Sequence, residues 1–195
     1  MTAKPAKSTR SDNRLPAVLD AAAHLFAEKG YAATSMREIA LACDMLPGSL
    51  YYHFAAKEDL LVAVYEAGVH QLIEAGRLTI AGEREPWARL EAGCAAHLET
   101  LLQRSDFAQV LVRVLPSDVP GAAARLKALR AEYERQFREL VGELPLPPAT
   151  DRGLLRLMLL GALNWSRFWF AAGGRETPRS LARKFVQLLQ DTHHV

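Results

Sequence analysis

Apolar residues in the first third of the chain recur at intervals of three and four, which is the spacing of a helix with one buried face. Gly30 follows Lys29 at a position where helices commonly place a glycine after their last turn. The pattern therefore predicts a first helix over about residues 14–29. The apolar run consists of Leu15, Val18, Leu19, Ala22, Leu25 and Phe26.

Two shorter apolar patterns follow this helix. Ser35 with Glu38 three residues later has the form of a capping box, which predicts a short second helix with Met36 and Ile39 on its apolar face. The segment D-M-L-P-G-S interrupts that pattern, and L-Y-Y-H-F then resumes helical spacing. A long helix followed by two short ones is typical of the helix-turn-helix arrangement, whose second short helix enters the major groove of DNA.

The stretch G-S-L-Y-Y-H-F carries more large polar side chains than one buried face can hold, because adjacent helical positions point in different directions. Leu50 and Phe54, four residues apart, are suited to pin this short helix to the two before it. Hydroxyl and imidazole groups on its other faces could donate to phosphate oxygens. Alternatively, the two tyrosines are half-buried packing residues with solvated hydroxyls. The residues left to face outward are Ser49, Tyr51, Tyr52 and His53.

The remaining two thirds of the sequence repeats the helical pattern, and no strand alternation persists. The predicted helices cover about 57–80, the apolar run opened by Pro86, A-A-A-R-L-K-A-L-R-A-E-Y-E-R-Q-F-R-E-L, about 149–171 and about 177–191. The segment F-A-Q-V-L-V-R-V-L fits a strand or a helix by periodicity alone, and its helical neighbours favour a helix. Thr177 as N-cap and Pro178 in the first turn mark the start of the last helix. We predict an all-α fold of about nine helices.

Composition excludes several classes of protein. The chain has 195 residues, half of them apolar, which is enough for a large core. Its apolar runs are too short or too interrupted to span a bilayer, and its basic, polar start lacks the apolar segment of a secretion signal. We therefore expect a cytoplasmic protein without a membrane segment. Cys43 and Cys94 match no metal or disulfide spacing and are expected to be free thiols.

The net charge of +2 is unevenly distributed. The first 57 residues carry seven basic and five acidic side chains, and the remainder carries equal numbers of each. Four of these seven basic residues precede the first apolar pattern, which predicts a flexible basic arm over 1–12. An excess of this size is a weak indication of a polyanionic partner.

The sequence contains no motif of a catalytic site. The nucleophile elbow, the two-histidine zinc motif and the glycine-rich phosphate-binding loops are all absent. His193 and His194 are adjacent near the chain end, where a solvated tail is more common than a pair of metal ligands. We predict that the protein is not an enzyme and that it uses no metal and no cofactor.

Three stretches in the first third, taken in their order and spacing, resemble the tetracycline-repressor (TetR) type of bacterial transcriptional regulator. They are L-D-A-A-A-H-L-F-A-E-K-G-Y, A-T-S-M-R-E-I-A and G-S-L-Y-Y-H-F-A-A-K-E-D-L-L. The rest of the chain resembles that family in helix number and length. The resemblance implies a helix-turn-helix DNA-binding domain over 13–56 and a helical domain for effector binding and dimerisation over 57–195.

The resemblance also assigns DNA-binding roles by position. It implies that Ser35 and Arg37 contact or adjoin the DNA backbone and that Lys57 contacts a phosphate. The implied recognition surface consists of Pro47, Gly48, Ser49, Tyr51, Tyr52 and His53. The chain departs from the family pattern at Leu46, where a small hydroxyl residue usually caps the recognition helix, and at Pro47, where a basic or polar residue is frequent.

These two departures have physical consequences. Pro47 suits the first position of a helix, whereas Leu46 has no side-chain oxygen with which to cap it. Packing must then support the start of the helix, and no long side chain at position 47 can read a base. We expect sequence preference to depend on Ser49, Tyr51, the arm and the shape of the DNA.

By the same resemblance the protein is expected to be a homodimer formed largely by its last two helices. Gly161 and Ala162 would allow two helices to approach closely, and an apolar stripe on the last helix could lie in the interface. Both features are equally explained as intramolecular core. The stripe consists of Leu181, Phe185, Leu188 and Leu189.

The resemblance further implies a repressor that a small, largely apolar effector releases from a near-palindromic double-stranded DNA operator. The tail F-W-F-A-A-G-G-R-E-T-P is similar to that of family members that sense acyl-thioesters. The candidate effector-binding residues are His70, Cys94, His97, Phe107, Arg113, Tyr133, Trp165, Phe168 and Trp169. Each of them is also explained as a structural residue, because aromatic residues at helical spacing are usually core. Two further alternatives stay open: a helical domain that responds to a partner protein, and activation in place of repression.

Overall fold

The computed structural model describes residues 14–103 and 105–193. These residues form nine α-helices and no strand, which confirms the predicted all-α fold. The helices are α1 (Leu15–Lys29), α2 (Met36–Ala42), α3 (Pro47–His53), α4 (Lys57–Ile80), α5 (Pro86–Leu102), α6 (Asp106–Arg113), α7 (Ala123–Gly142), α8 (Arg152–Trp165) and α9 (Pro178–His193). The predicted basic arm over 1–12, the side chain of His193 and the whole of His194 lie outside the described part of the chain.

Local sequence signals fix several of the helix ends. Gly30 ends α1 with a φ of 85°, a backbone conformation that side chains other than glycine rarely adopt, and its N–H donates to the carbonyl of Phe26. The capping box of Ser35 and Glu38 opens α2 as predicted. The hydroxyl of Thr177 accepts from the Ser180 N–H at 3.1 Å at the start of α9. These contacts satisfy backbone groups that a helix terminus leaves unpaired.

The helix predicted over 149–171 is shorter in the structure. Asp151 accepts a hydrogen bond from the Leu154 N–H at 2.9 Å, so that α8 begins at Arg152. The α-helix ends at Trp165, and a 3₁₀ turn over Ser166–Phe168 follows. The Ser166 side chain is fully buried and donates to the carbonyl of Leu163 at 2.6 Å. This local bond competes with regular helical geometry, which the periodicity of the sequence cannot reveal.

Helices α1, α2 and α3 share one hydrophobic core with the first half of α4 and with α6. Phe26, Ile39, Leu50, Leu61 and Val110 have no exposed surface in this cluster. The core is therefore continuous across residues 56 and 57. The division into functional domains at that point stays a prediction, and the packing shows no gap there.

A second hydrophobic cluster joins the C-terminal end of α4 to α5, α7, α8 and α9. Helix α4 has 24 residues, so it is about 36 Å long and contributes to both clusters. Gly68 allows α6 to lie close against α4, because a Cβ at this position would be 2.5 Å from Leu111 Cδ1. None of the described helices has the length and hydropathy needed to cross a membrane.

Candidate nucleic-acid interface and ligand cavity

Helix α3 presents most of its surface to solvent. Leu50 is fully buried and attaches the helix to the core, whereas 51% of Tyr51 and 85% of Tyr52 are exposed. The outward orientation predicted for these tyrosines is confirmed. Tyr52 is too exposed for the alternative of a half-buried packing residue, whereas Tyr51 is half exposed. Pro47 occupies the first turn, and Leu46 at the N-cap makes no side-chain hydrogen bond. The start of α3 is therefore uncapped, as the sequence predicted.

The other predicted DNA-binding residues of this region differ in exposure. Arg37, Gly48 and Ser49 are exposed, and Pro47 is half-buried. His53 is also half-buried, and its ring meets the Tyr52 ring edge-on with 5.6 Å between centroids. DNA contact by these residues stays a prediction, and their side chains line an accessible surface around α3.

The hydroxyl of Ser35 already forms hydrogen bonds within the predicted DNA-binding domain over 13–56, which we call the head. It donates to Glu38 Oε2 at 2.8 Å and accepts from the Glu38 N–H at 3.2 Å. Hydrogen bonds from the Ser35 backbone and side chain, together with Lys29 at 3.0 Å, lower the pKa of Glu38 to about 2. A phosphate contact by Ser35 also stays a prediction. The phosphate would have to compete with Glu38 for the Ser35 hydroxyl.

Lys57, the first residue of α4, has its ammonium group directed into the turn between α1 and α2. The Nζ atom donates to the carbonyls of Tyr31 and Thr34, both at 2.8 Å, and lies 3.5 Å from that of Ala32. It also lies 4.3 Å from the centre of the Tyr31 ring. An ammonium has three N–H donors. The phosphate contact predicted for Lys57 stays a prediction, and the observed contacts give the residue a bracing role.

A cavity of about 340 Å³ lies between α4, α5, α6, α7 and α8. Its volume falls within the range of small-molecule sites, which are mostly apolar with a few polar groups. Apolar side chains include Val69, Leu72, Leu101, Leu111 and Leu160. The polar lining residues include His97, Arg130, Tyr133, Glu134 and Asn164. This composition suits a largely apolar ligand that has a small number of polar atoms.

His97 is a buried polar residue of this cavity, with 5% of its surface exposed. Its Nδ1 atom forms a hydrogen bond with the Tyr133 hydroxyl, and the two rings stack with 5.8 Å between centroids. Its Nε2 atom is buried and has no hydrogen-bond partner of normal geometry among residues 14–103 and 105–193, although Asn164 interacts with the ring. Burial lowers the pKa of His97 to about 4, so the ring is neutral at pH 7.

Of the two charged residues that line the cavity, Glu134 forms an ion pair in the described part of the chain and Arg130 does not. Glu134 forms an ion pair with Arg156, which is largely buried. Arg130 interacts with the Tyr65 hydroxyl but has no carboxylate within ion-pair distance in the described residues. The cavity therefore presents a cationic group beside its apolar surface.

Of the predicted effector-binding residues, only His97 and Tyr133 line this cavity. Arg113 and Phe168 line a second one, and the remaining five line neither. His70 is exposed, Cys94 is buried in the second hydrophobic cluster, and Phe107 packs against the first. Trp165 and Trp169 are 63% and 50% exposed. The aromatic residues of the stretch W-S-R-F-W-F therefore do not line the first cavity.

Comparison with known families identifies both parts of the chain. The model of the family described as bacterial regulatory proteins, tetR family, matches residues 18–64. The model described as a tetracyclin repressor-like C-terminal domain matches residues 83–192, which is more than half of the chain. The chain belongs to the TetR family. It is a DNA-binding transcriptional repressor of the TetR type and not an enzyme.

Several TetR-family relatives match over nearly the whole chain. The transcriptional repressor KstR2 of Rhodococcus jostii is 29% identical over 98% of this chain and 97% of its own length. KstR2 of Mycobacterium tuberculosis is 33% identical over 91% of this chain and 92% of its own. A crystal structure of AibR in complex with isovaleryl coenzyme A and operator DNA has 26% identity and a TM-score of 0.76, covering 90% of this chain and 97% of AibR.

The sequence did not single out four polar residues that line the cavity of this TetR-family protein: Tyr65, Arg130, Glu134 and Asn164. Arg130 and Glu134 are four residues apart on a charged helix, where they look like an exposed ion pair. Asn164 carries a detectable signal, because it is the polar residue at the end of the apolar run L-M-L-L-G-A-L-N-W. Asn164 is half-buried, and an amide shielded from water needs a partner, so this position could have been proposed for ligand contact.

Proposed function

We propose that this TetR-family protein is a homodimeric repressor, released from a near-palindromic operator when a small, largely apolar effector enters the 340 Å³ cavity. In this proposal each α3 lies in a major groove, and two heads related by a twofold axis read two half-sites. Phosphate contacts position each head, and groups on α3 contact base edges.

The main support for the proposal is that helix α4 connects the cavity to the head. Tyr65, Val69 and Leu72 of α4 line the cavity, and the first residue of the same helix is bonded to the turn that follows α1. A ligand that favours another position of α4 would therefore move the head with it. An effector can act only through such a difference in affinity between two conformations.

The composition of the cavity supports an acyl-thioester as the effector class. Leucine and valine side chains would surround an acyl chain, while His97 Nε2 and Asn164 offer polar atoms to a carbonyl group. A volume near the lower end of ligand sites suits an acyl group better than a complete coenzyme A. The AibR structure contains isovaleryl coenzyme A together with operator DNA.

An exposed apolar stripe on α8 supports dimer formation. Leu154, Leu157, Met158 and Trp165 are 55–64% exposed and follow helical spacing on one face, with Gly161 between them. A contiguous exposed apolar surface marks an interaction site. On α9, Leu181, Phe185 and Leu189 pack into the second hydrophobic cluster, whereas Leu188 is 64% exposed. The proposed interface therefore depends more on α8 than the sequence predicted.

The test is binding of the purified protein to duplexes that cover its own upstream intergenic region. Fluorescence anisotropy at two salt concentrations would be measured with and without acyl-coenzyme A compounds of increasing chain length. We expect specific binding that one class of compound reverses. The matched control is Leu72→Trp, which fills the cavity and should bind the operator but lose the response. Specific binding that no compound reverses would refute the effector part of the proposal.

A further inference from the structure

A second cavity, of about 480 Å³, lies where the DNA-binding head meets the larger domain. Its walls come from the C-terminal part of α1, the end of α5, helix α6 and the segment that follows α8. Leu101 lines both this cavity and the first one. A ligand in this position would contact both the head and the larger helical domain over 57–195, which we call the sensor domain.

Two arginines line this cavity, and neither has a carboxylate within ion-pair distance in the described residues. Arg113 donates from Nη1 to the carbonyl of Ala27 near the end of α1. The Arg167 guanidinium lies 4.4 Å from the centre of the Phe168 ring, and its buried Nε atom has no hydrogen-bond partner in the part of the chain that the structure describes. Each guanidinium has five N–H donors, and most of them have no partner among the described residues, so they could bind a ligand.

The acidic residues of the same cavity form no ion pair with these arginines within the described part of the chain. Asp106 lies 3.1 Å and Glu28 lies 3.6 Å from the ring nitrogens of His24, so both carboxylates face the histidine. Burial lowers the pKa of Arg167, and the positive charge of Arg113 lowers it further. Two like charges and an unpartnered buried donor are each unfavourable, and an anion bound between the arginines would relieve both effects.

We propose that Arg113 and Arg167 form a binding site for a phosphate group at the junction between the head and the sensor domain. A planar guanidinium fork binds two phosphate oxygens at once, and two such forks can hold one phosphate. Through the Arg113 bond to Ala27, an occupied site would hold α1 against α6. The phosphate could be inorganic phosphate, or it could belong to a larger ligand such as coenzyme A.

The test uses the full-length protein and does not require DNA or an acyl group. Its melting temperature is measured against inorganic phosphate and, separately, against coenzyme A, with ionic strength kept constant by chloride. A ligand that binds only the folded state raises the melting temperature in a saturable manner. Arg167→Gln should weaken phosphate binding by about tenfold or more, and Arg113→Gln should weaken it as well. Arg138→Gln removes an exposed arginine outside the cavity and serves as the control.

The outcomes separate the two sources of phosphate. Saturable binding of inorganic phosphate that requires Arg167 supports a site for the free anion, and binding of coenzyme A alone with the same requirement supports a phosphorylated ligand. If Arg167→Gln fails to fold, Arg167→Lys keeps the charge without the fork and should weaken phosphate binding several-fold. Wild-type protein that responds to neither ligand, or variants that respond as strongly as the wild type, would overturn the proposal. None of these results changes the interpretation of the operator-binding experiment that tests the proposed function.

Discussion

The ammonium of Lys57 lies over the ring of Tyr31, 4.3 Å from its centre, and donates to the carbonyl of the same residue at 2.8 Å. One side chain thus joins the first turn of α4 to the loop that follows α1. This contact links the helix that lines the proposed effector cavity to the DNA-binding head. To contact a phosphate, the Lys57 ammonium would have to leave these partners.

The first prediction concerns Lys57→Met, which keeps most of the side-chain stem and removes the charge. We expect a loss of about 1–3 kcal/mol in the free energy of unfolding, because three backbone carbonyls lose a charged donor. The salt dependence of operator binding should stay as in the wild type. Arg37→Met is the matched comparison, since Arg37 is exposed, and it should make the salt slope shallower by about one. A shallower slope for Lys57→Met with unchanged stability would instead assign Lys57 to a phosphate.

The second prediction follows from the uncapped start of α3. The backbone of Leu46 has the extended conformation of an N-cap residue, with φ −69° and ψ 139°, and its side chain is 77% exposed. Leu46→Thr would add a cap oxygen at little cost in packing, and should raise the free energy of unfolding by about 0.5–1 kcal/mol in urea denaturation. Leu46→Ala, which adds no oxygen, is the control. Equal stability of the two variants would contradict the capping argument.

A third prediction tests the recognition surface. Tyr51→Phe removes only a hydroxyl from a side chain that is half exposed, so the fold and the melting temperature should not change. If this hydroxyl donates to a phosphate, operator binding should weaken by about 1 kcal/mol, or roughly fivefold. Anisotropy titrations with operator and non-operator duplexes would measure the change. Unaltered affinity for the operator would remove Tyr51 from the proposed contacts.

The fourth prediction concerns the apolar stripe of α8. Met158→Glu would place a charge in the proposed dimer interface, where it would have to be desolvated. We expect sedimentation velocity to show a monomer, with operator affinity reduced at least tenfold because two linked half-sites are no longer bound together. Leu78→Glu alters a side chain of similar exposure on α4 and should stay dimeric. A dimeric Met158→Glu protein would exclude this face.

A fifth prediction uses the buried histidine of the first cavity. His97 has a folded-state pKa of about 4 against 6.5 when unfolded, so the unfolded chain binds its proton first as the pH falls. Stability should therefore decrease between pH 6.5 and 4, by a total on the order of 3 kcal/mol from this residue. His97→Asn should flatten the decrease in urea titrations at fixed protein concentration. Glu38 affects a lower window, below pH 4.5, because its folded pKa is about 2. Identical pH profiles for wild type and variant would contradict this assignment.

The amino-acid sequence by itself determined the helices of the head and their order. Their ends depend on contacts within a few residues, such as the Ser35–Glu38 capping box and the glycine after α1. Outward orientation of Tyr51 and Tyr52 was also predictable, because one buried leucine fixes the rotation of a seven-residue helix. Local periodicity and capping are sufficient for such features.

Only the tertiary structure decided which residues form the two cavities. His97 and Tyr133 are 36 residues apart, and Arg113 and Arg167 belong to different elements, so no local pattern relates them. The direction of the Lys57 ammonium likewise depends on a loop more than twenty residues earlier in the chain. Trp165 and Trp169, named as candidate effector-binding residues, line neither cavity, and a 3₁₀ turn lies between them at the end of α8. Contacts between distant residues arise from the packing of whole helices, and the sequence specifies that packing only through the complete fold.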